Sequence, residues 1–226
     1  MLLSSDTSSL NLSSDTSSLN IAAAAIKQGS LVSFPTDTYF ALGADGMNNR
    51  AVQHVFEVKG RNPGTPVPLL VSDLDMVTEL TRSFTKILAD LASRFWPGAL
   101  TIVVPALDHV PESVTARTGT VGLRIPDHTL ARQLIRLSGT PITGTSCNLT
   151  GQPPASNASD VDQQFGEKID FCIDSSCGSN TAPSTVISYA NGKLSILRLG
   201  AISIESIKNT IGKNVVINTV GNPTSQ

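Results

Sequence analysis

Apolar residues in this chain recur three or four apart in some stretches and two apart in others, the signature of interleaved helices and strands. From Ile21 the run IAAAAIKQG reads as a helix stopped by Gly29, and LVSFP over residues 31–35 as a short buried strand ended by a proline. A polar, glycine-bearing loop follows. Val52, Val55 and Phe56 then fall at i, i+3 and i+4, the inner face of a helix that Asn48 or Asn49 can cap. VPLLV over residues 67–71 is a second strand, and Phe84, Ile87, Leu88, Leu91 and Phe95 keep helical spacing until Pro97-Gly98 interrupts it. LTIVVP from Leu100 reads as a fully buried strand. Val121, Leu123 and Ile125 alternate in another, after which Pro126-Asp127 opens a helix through Leu130, Leu134 and Ile135 to Gly139.

The last third continues the mixture. PITGT over residues 141–145 is a short strand, residues 160–165 a helix, and residues 169–173 and 184–189 strands. Asn191-Gly192 is a two-residue hairpin signal leading into a strand over residues 194–198. Ser203 can cap a final helix carrying Ile204, Ile207 and Ile211. Hairpins coexist with crossovers, so the pattern predicts an α/β fold: a single domain built on a twisted mixed sheet flanked by helices, with a ligand cleft at strand ends. Ahead of it, residues 3–11 and 12–20 spell LSSDTSSLN twice, too few copies and too polar to stack. The reading therefore sets residues 1–20 apart as a polar segment that is mobile at least in part, places the domain at 21–212, and leaves 213–226 as a tail.

Composition narrows the classes. The 226 residues suit one large domain, and a net charge of −2 provides no global field for nucleic acid, so RNA would be met through a partner or a local patch. Cys147, Cys172 and Cys177 form no C-x-x-C pair and leave an odd thiol, unlike a disulfide-stapled secreted domain. No run approaches the roughly 20 apolar residues of a membrane span, and no basic and apolar leader opens the chain, so a soluble cytoplasmic protein is expected.

Candidate chemistry gathers in four polar clusters at predicted strand ends: Thr36-Asp37-Thr38, Lys59-Gly60-Arg61, Thr145-Ser146-Cys147-Asn148, and Ser184-Thr185 with Arg198 beyond. Hydroxyls, an amide and three cations suit a polyphosphate and a small polar ligand, with Gly60 letting the ligand approach the backbone between two cationic arms. Each cluster also has a plainer reading. Lys59 and Arg61 complement a helix dipole, worth ~0.3–1 kcal/mol; Ser146 and Asn148 form turns readily; Cys147 fills a tight loop. No nucleophile–base pair is evident, His54, His109 and His128 lack metal-ligand spacing, and neither a dinucleotide-binding fingerprint nor a P-loop is present.

Together these landmarks resemble the threonylcarbamoyl-AMP synthase family, the YrdC-like proteins. In order they are PTDT from Pro35, ALGAD from Ala41, KGR from Lys59, PLLV from Pro68, FWPGALT from Phe95, LRIPDH from Leu123, TSCNLTG from Thr145, PSTV from Pro183 and ILRLGAI from Ile196. The resemblance implies an enzyme that joins L-threonine, bicarbonate or CO2, and ATP into threonylcarbamoyl-AMP and pyrophosphate. The product would pass to a tRNA threonylcarbamoyl-transferase complex, with weak tRNA contact at most and no membrane. By the same resemblance Lys59 and Arg61 are catalytic and hold ATP phosphates, which Arg198 also reaches, while Ser146 and Asn148 contact the nucleotide. Thr36, Thr120, Arg124 and Ser184 surround the threonine, with Arg124 the natural partner of its carboxylate. Mg2+ would arrive on the ATP phosphates without a protein cage. The chain departs from the family pattern at Phe40, where a tyrosine is usual, at Ala41, where glycine is usual, and at Val67, where a polar residue is usual. These positions support a second reading, a non-catalytic RNA- or nucleotide-binding paralogue on the same fold. The long C-terminal domain of some members is expected to be absent.

Overall fold

A computed structural model describes residues 10–180, 182–212 and 215–219. Among these, the strands form two mixed sheets rather than the single one expected. The first has the order β1 (Leu10–Leu12), β9 (Phe171–Ile173), β2 (Val32–Pro35), β3 (Phe40–Gly43) and β8 (Thr145–Ser146). The second runs β12 (Val216–Thr219), β11 (Lys193–Arg198), β10 (Thr185–Ala190), β5 (Leu100–Pro105), β6 (Thr120–Arg124), β4 (Leu69–Leu70) and β7 (Ile142–Thr143). The stretch 141–145, read as one strand, is thus divided between the sheets at Gly144. A side chain there would run into Leu70, and its N–H bonds Pro68 O at 2.7 Å.

Helices α1 (Thr16–Lys27), α2 (Asn49–Lys59), α4 (Lys86–Phe95), α6 (Thr129–Ser138), α7 (Ala158–Phe165) and α8 (Ile204–Ile211) follow the expected periodicities; the short α3 (Leu74–Thr78) and α5 (Glu112–Thr115) were not foreseen. Caps explain several boundaries. Asn48 accepts from Arg50 N and Ala51 N, and Ser203 accepts from Ser206 N. His128, rather than Asp127, caps α6. The loop expected after Pro35 is a tight turn followed by β3, which pairs antiparallel with β2 through Pro35↔Phe40 and Val32↔Gly43.

The α1 helix begins at Thr16, inside the second repeat copy, where Asp15 caps it, and β1 pairs parallel with β9. Residues 10–20 are therefore part of the folded unit, where the sequence reading set them ahead of it. Most of the first copy, residues 3–9, lies outside the described residues, as does its expected mobility. Beyond Gly212, β12 adds to β11 in parallel, and the rest of the tail is likewise outside the description.

Period-two alternation decides which faces are covered. In the first sheet Val32, Phe34 and Ala41 face α1 and α6, while Leu31, Phe40 and Leu42 face α7 and the start of α2. Both faces are buried. In the second sheet Leu100, Ile102, Val104, Val121, Leu123, Ile187, Leu194 and Ile196 share a core with α4 and α8. Each such side chain contributes roughly 1.5–3 kcal/mol on full burial. The intervening positions, Thr101, Val103, Thr120, Gly122, Arg124 and Val186, line a cleft instead.

Candidate active site

The cleft encloses about 790 Å³ between the open face of the second sheet and the β2–β3 turn and β8 of the first. It therefore spreads across a sheet face as well as strand ends. Of the residues singled out from the sequence, Thr36, Arg61, Thr120, Arg124, Ser146, Ser184 and Arg198 line it; Lys59 and Asn148 do not. Thr38, Thr101, Thr118 and Thr145 also line it but carried no assignment. The signal for Thr101 is its alternation with Leu100 and Ile102, a polar position on one face of an otherwise apolar strand.

Helix α2 ends at Gly60, whose left-handed conformation (φ 60°) turns the chain sharply. Gly60 is exposed and away from the cleft, so its role is this turn and not close approach of a ligand. The turn sends the two flanking cations different ways. Lys59 is buried, and its Nζ donates to Ser146 O, to Asn148 O at 2.6 Å and to Asn148 Oδ1 at 3.4 Å. It thereby ties α2 to the loop after β8. Arg61 lies over the Phe56 ring and donates to Thr65 Oγ1 at 2.9 Å, Pro66 O at 3.0 Å and Thr145 Oγ1 at 3.4 Å. Asn148 completes the loop by accepting from Ser146 Oγ and donating to Leu149 O and Gln152 O. Lys59 and Asn148 thus build the platform that presents Ser146.

Across the cleft, Arg198 on β11 donates to Ser184 O and Ser184 Oγ, and the Ser184 and Thr101 hydroxyls are 2.9 Å apart. Arg124 on β6 is buried, donating from Nε to Gly98 O at 3.0 Å and from Nη2 to Asp37 Oδ1 at 2.5 Å. This ion pair was not foreseen, and it means that Arg124 meets any carboxylate ligand with one internal carboxylate already in place. The β2–β3 turn is held by Thr36, whose N–H and Oγ1 both donate to Tyr39 O.

Burial pushes the Lys59 ammonium down to about 8, with the Arg61 charge adding to the effect. Desolvation lowers Arg61, Arg124 and Arg198 as well; for Arg198 the charges of Arg124 and Arg61 contribute, and for Arg124 the Asp37 carboxylate opposes the shift. Like charges thus act on Lys59 and Arg198, and among the described residues Asp37 is the one buried carboxylate beside them, an electrostatic state that a polyanion relieves. Burial raises the Cys147 thiol, so it is packing material and not a nucleophile. Among the described residues no group of three or more His, Cys, Asp or Glu side chains could hold a metal ion, and no helix is long and apolar enough to cross a membrane.

Compared with known proteins, residues 24–200 match the family Sua5/YciO/YrdC, described as "Telomere recombination". The threonylcarbamoyl-AMP synthase of Pyrococcus abyssi is 36% identical over 192 residues, covering 85% of this chain and 56% of that protein. The enzyme of the same name from Bacillus subtilis is 38% identical over 192 residues, with 84% and 56% covered. A crystal structure of P. abyssi Sua5 complexed with L-threonine superposes with a TM-score of 0.87 at 34% identity, covering 92% of this chain and 62% of that one. The chain thus spans about half the length of these two curated relatives.

Proposed function

The chain belongs to the Sua5/YciO/YrdC family, and from that premise we propose that it is a nucleotidyltransferase-type enzyme making threonylcarbamoyl-AMP for tRNA modification. The observation that carries this reading is the convergence of Arg61, Arg124 and Arg198 with the Thr36, Ser146 and Ser184 hydroxyls on one cleft. The substrates are L-threonine, bicarbonate or CO2, and ATP, and the product goes on to a tRNA threonylcarbamoyl-transferase complex.

The chemistry asks for positioning and charge stabilisation more than for a protein nucleophile. The threonine amine takes up CO2 and loses a proton, giving a carbamate. A carbamate oxygen then attacks the ATP α-phosphorus in line, the bond to the bridging oxygen breaks, and pyrophosphate leaves. Arg61 and Arg198 face the phosphates from opposite walls, and Ser146 hydrogen-bonds the nucleotide. Lys59 adds positive charge from beneath Ser146, with Asn148 fixing that loop. Arg124 receives the threonine carboxylate beside Thr36, Thr120 and Ser184. Mg2+ would be held chiefly by the ATP phosphates rather than by protein side chains, and would offset charge on the leaving pyrophosphate.

Pyrophosphate release from ATP, bicarbonate and Mg2+ should require L-threonine, and Arg61→Ala should reduce it about 10²–10³-fold, the usual effect of removing one transition-state charge partner. Threonine-independent release, or none from a folded protein that binds ATP, would reject the enzyme in favour of a nucleotide-binding role.

A further inference from the structure

Asp37 is the buried counter-ion of the cleft, yet it does not line it. It stands behind Arg124, joined to Nη2 through Oδ1, while its other oxygen, Oδ2, is buried without a hydrogen-bond partner. Such a pair is a poor way to gain stability, because desolvating two charges offsets most of their attraction and an unpartnered oxygen adds to the cost. Its effect on geometry is direct. Gly98 O and Asp37 Oδ1 grip Arg124 at Nε and Nη2, with Thr38 Oγ1 at 3.4 Å from Nη1, so the guanidinium plane is fixed before a ligand arrives. An arginine has five N–H donors in a rigid fork, and those left over serve the cleft that Arg124 lines.

Asp37 is itself held by a second layer. The segment between β9 and β10 crosses the β2–β3 turn, where Gly178 N–H donates to Thr36 O at 2.9 Å. A Cβ at Gly178 would lie 2.8 Å from both Asp37 Cα and Asp37 O. Two residues earlier, Ser176 O is 3.0 Å from Nε2 of His128, whose Nδ1 accepts from Ala131 N. One neutral tautomer of His128 makes both bonds, anchoring the crossing segment to the start of α6.

We propose that Asp37 is a positioning residue for carboxylate recognition, holding Arg124 from behind the cleft wall, and that the segment through Gly178 sets the position of Asp37. This rests on the reading of Arg124 as the threonine-carboxylate partner and adds that amino-acid affinity, separately from nucleotide affinity, depends on a layer that touches neither ligand.

The test is calorimetric binding of L-threonine and of ATP, measured separately on the intact chain, for wild type, Asp37→Asn, Gly178→Ala and the double variant. Asp37→Asn keeps shape and an acceptor but removes the charge. Gly178→Ala keeps the carboxylate's charge but sets a Cβ against the Asp37 backbone, so that the aspartate shifts relative to Arg124. Each should weaken L-threonine at least tenfold while leaving ATP within twofold, and the double variant should be no worse than the weaker single one, since both act through Arg124. Equal losses for both ligands would mean a general structural role and overturn the proposal, as would unchanged threonine affinity in both single variants. Wild type that binds ATP but no L-threonine would instead remove the underlying reading, and the proposal with it.

Discussion

At Lys59 a single ammonium serves two purposes, tying α2 to the 146–148 loop and supplying charge beneath Ser146, and its depressed pKa makes both sensitive to pH. Between about 8 and the ordinary lysine value the folded chain binds fewer protons here than the unfolded one, so this group's contribution to stability rises with pH in that window. Function moves the other way. ATP phosphates favour the charged amine, so ATP affinity should fall as pH rises through about 8, and binding near that pH should take up a proton. Titration calorimetry in buffers of different ionisation enthalpy measures the uptake, and Lys59→Arg should abolish it. Other residue roles follow from close approach alone: Gly144, where the chain crosses between sheets, has no room for a side chain against Leu70.

Among the elements, α2 does most to assemble the site, since it delivers Lys59 inward and Arg61 to the cleft from one C-terminal turn. Its N-terminus depends on the Asn48 cap, and Asn48→Ala should lower stability by about 0.5–2 kcal/mol in urea unfolding while leaving the cleft residues in place. The elements legible in the sequence are those with strong punctuation: α4 before Pro97-Gly98, α6 closed by Gly139, the β10–β11 hairpin at Asn191-Gly192, and α8 between Ser203 and Gly212. The strand β3 was not legible. Its residues FALG have no alternation of polarity, because both faces of the first sheet are covered, and its pairing with β2 and β8 makes it a strand. The helices α3 and α5, at five and four residues, are too short to show a period. For the site, the alternation of Thr120, Gly122 and Arg124 with Val121 and Leu123 was there to be read. The Asp37–Arg124 pair was not, because its members lie 87 residues apart and nothing local to either announces the other.

At the scale of the whole molecule the cleft has no single owner, for Ser146 and the turn bearing Thr36 belong to the first sheet, while Thr120, Arg124 and Arg198 belong to the second, with Ser184 at its β10 entry. A ligand that bridges them should stabilise both sheets together. ATP at about 100 times its Kd should add ~2.7 kcal/mol and raise Tm by about 5–10 °C in one transition, followed by scanning calorimetry. A melt that separates into two steps, with ATP moving only one, would contradict a shared cleft. The pairing of β1 with β9 has a consequence for synthesis. Leu10 is made before its ladder partner Phe171, which follows 161 residues later. At ~5–20 residues per second that is a delay of about 8–30 s. Through that interval β1 and β2 lack the strand that lies between them, so this edge of the sheet closes only once β9 has been made.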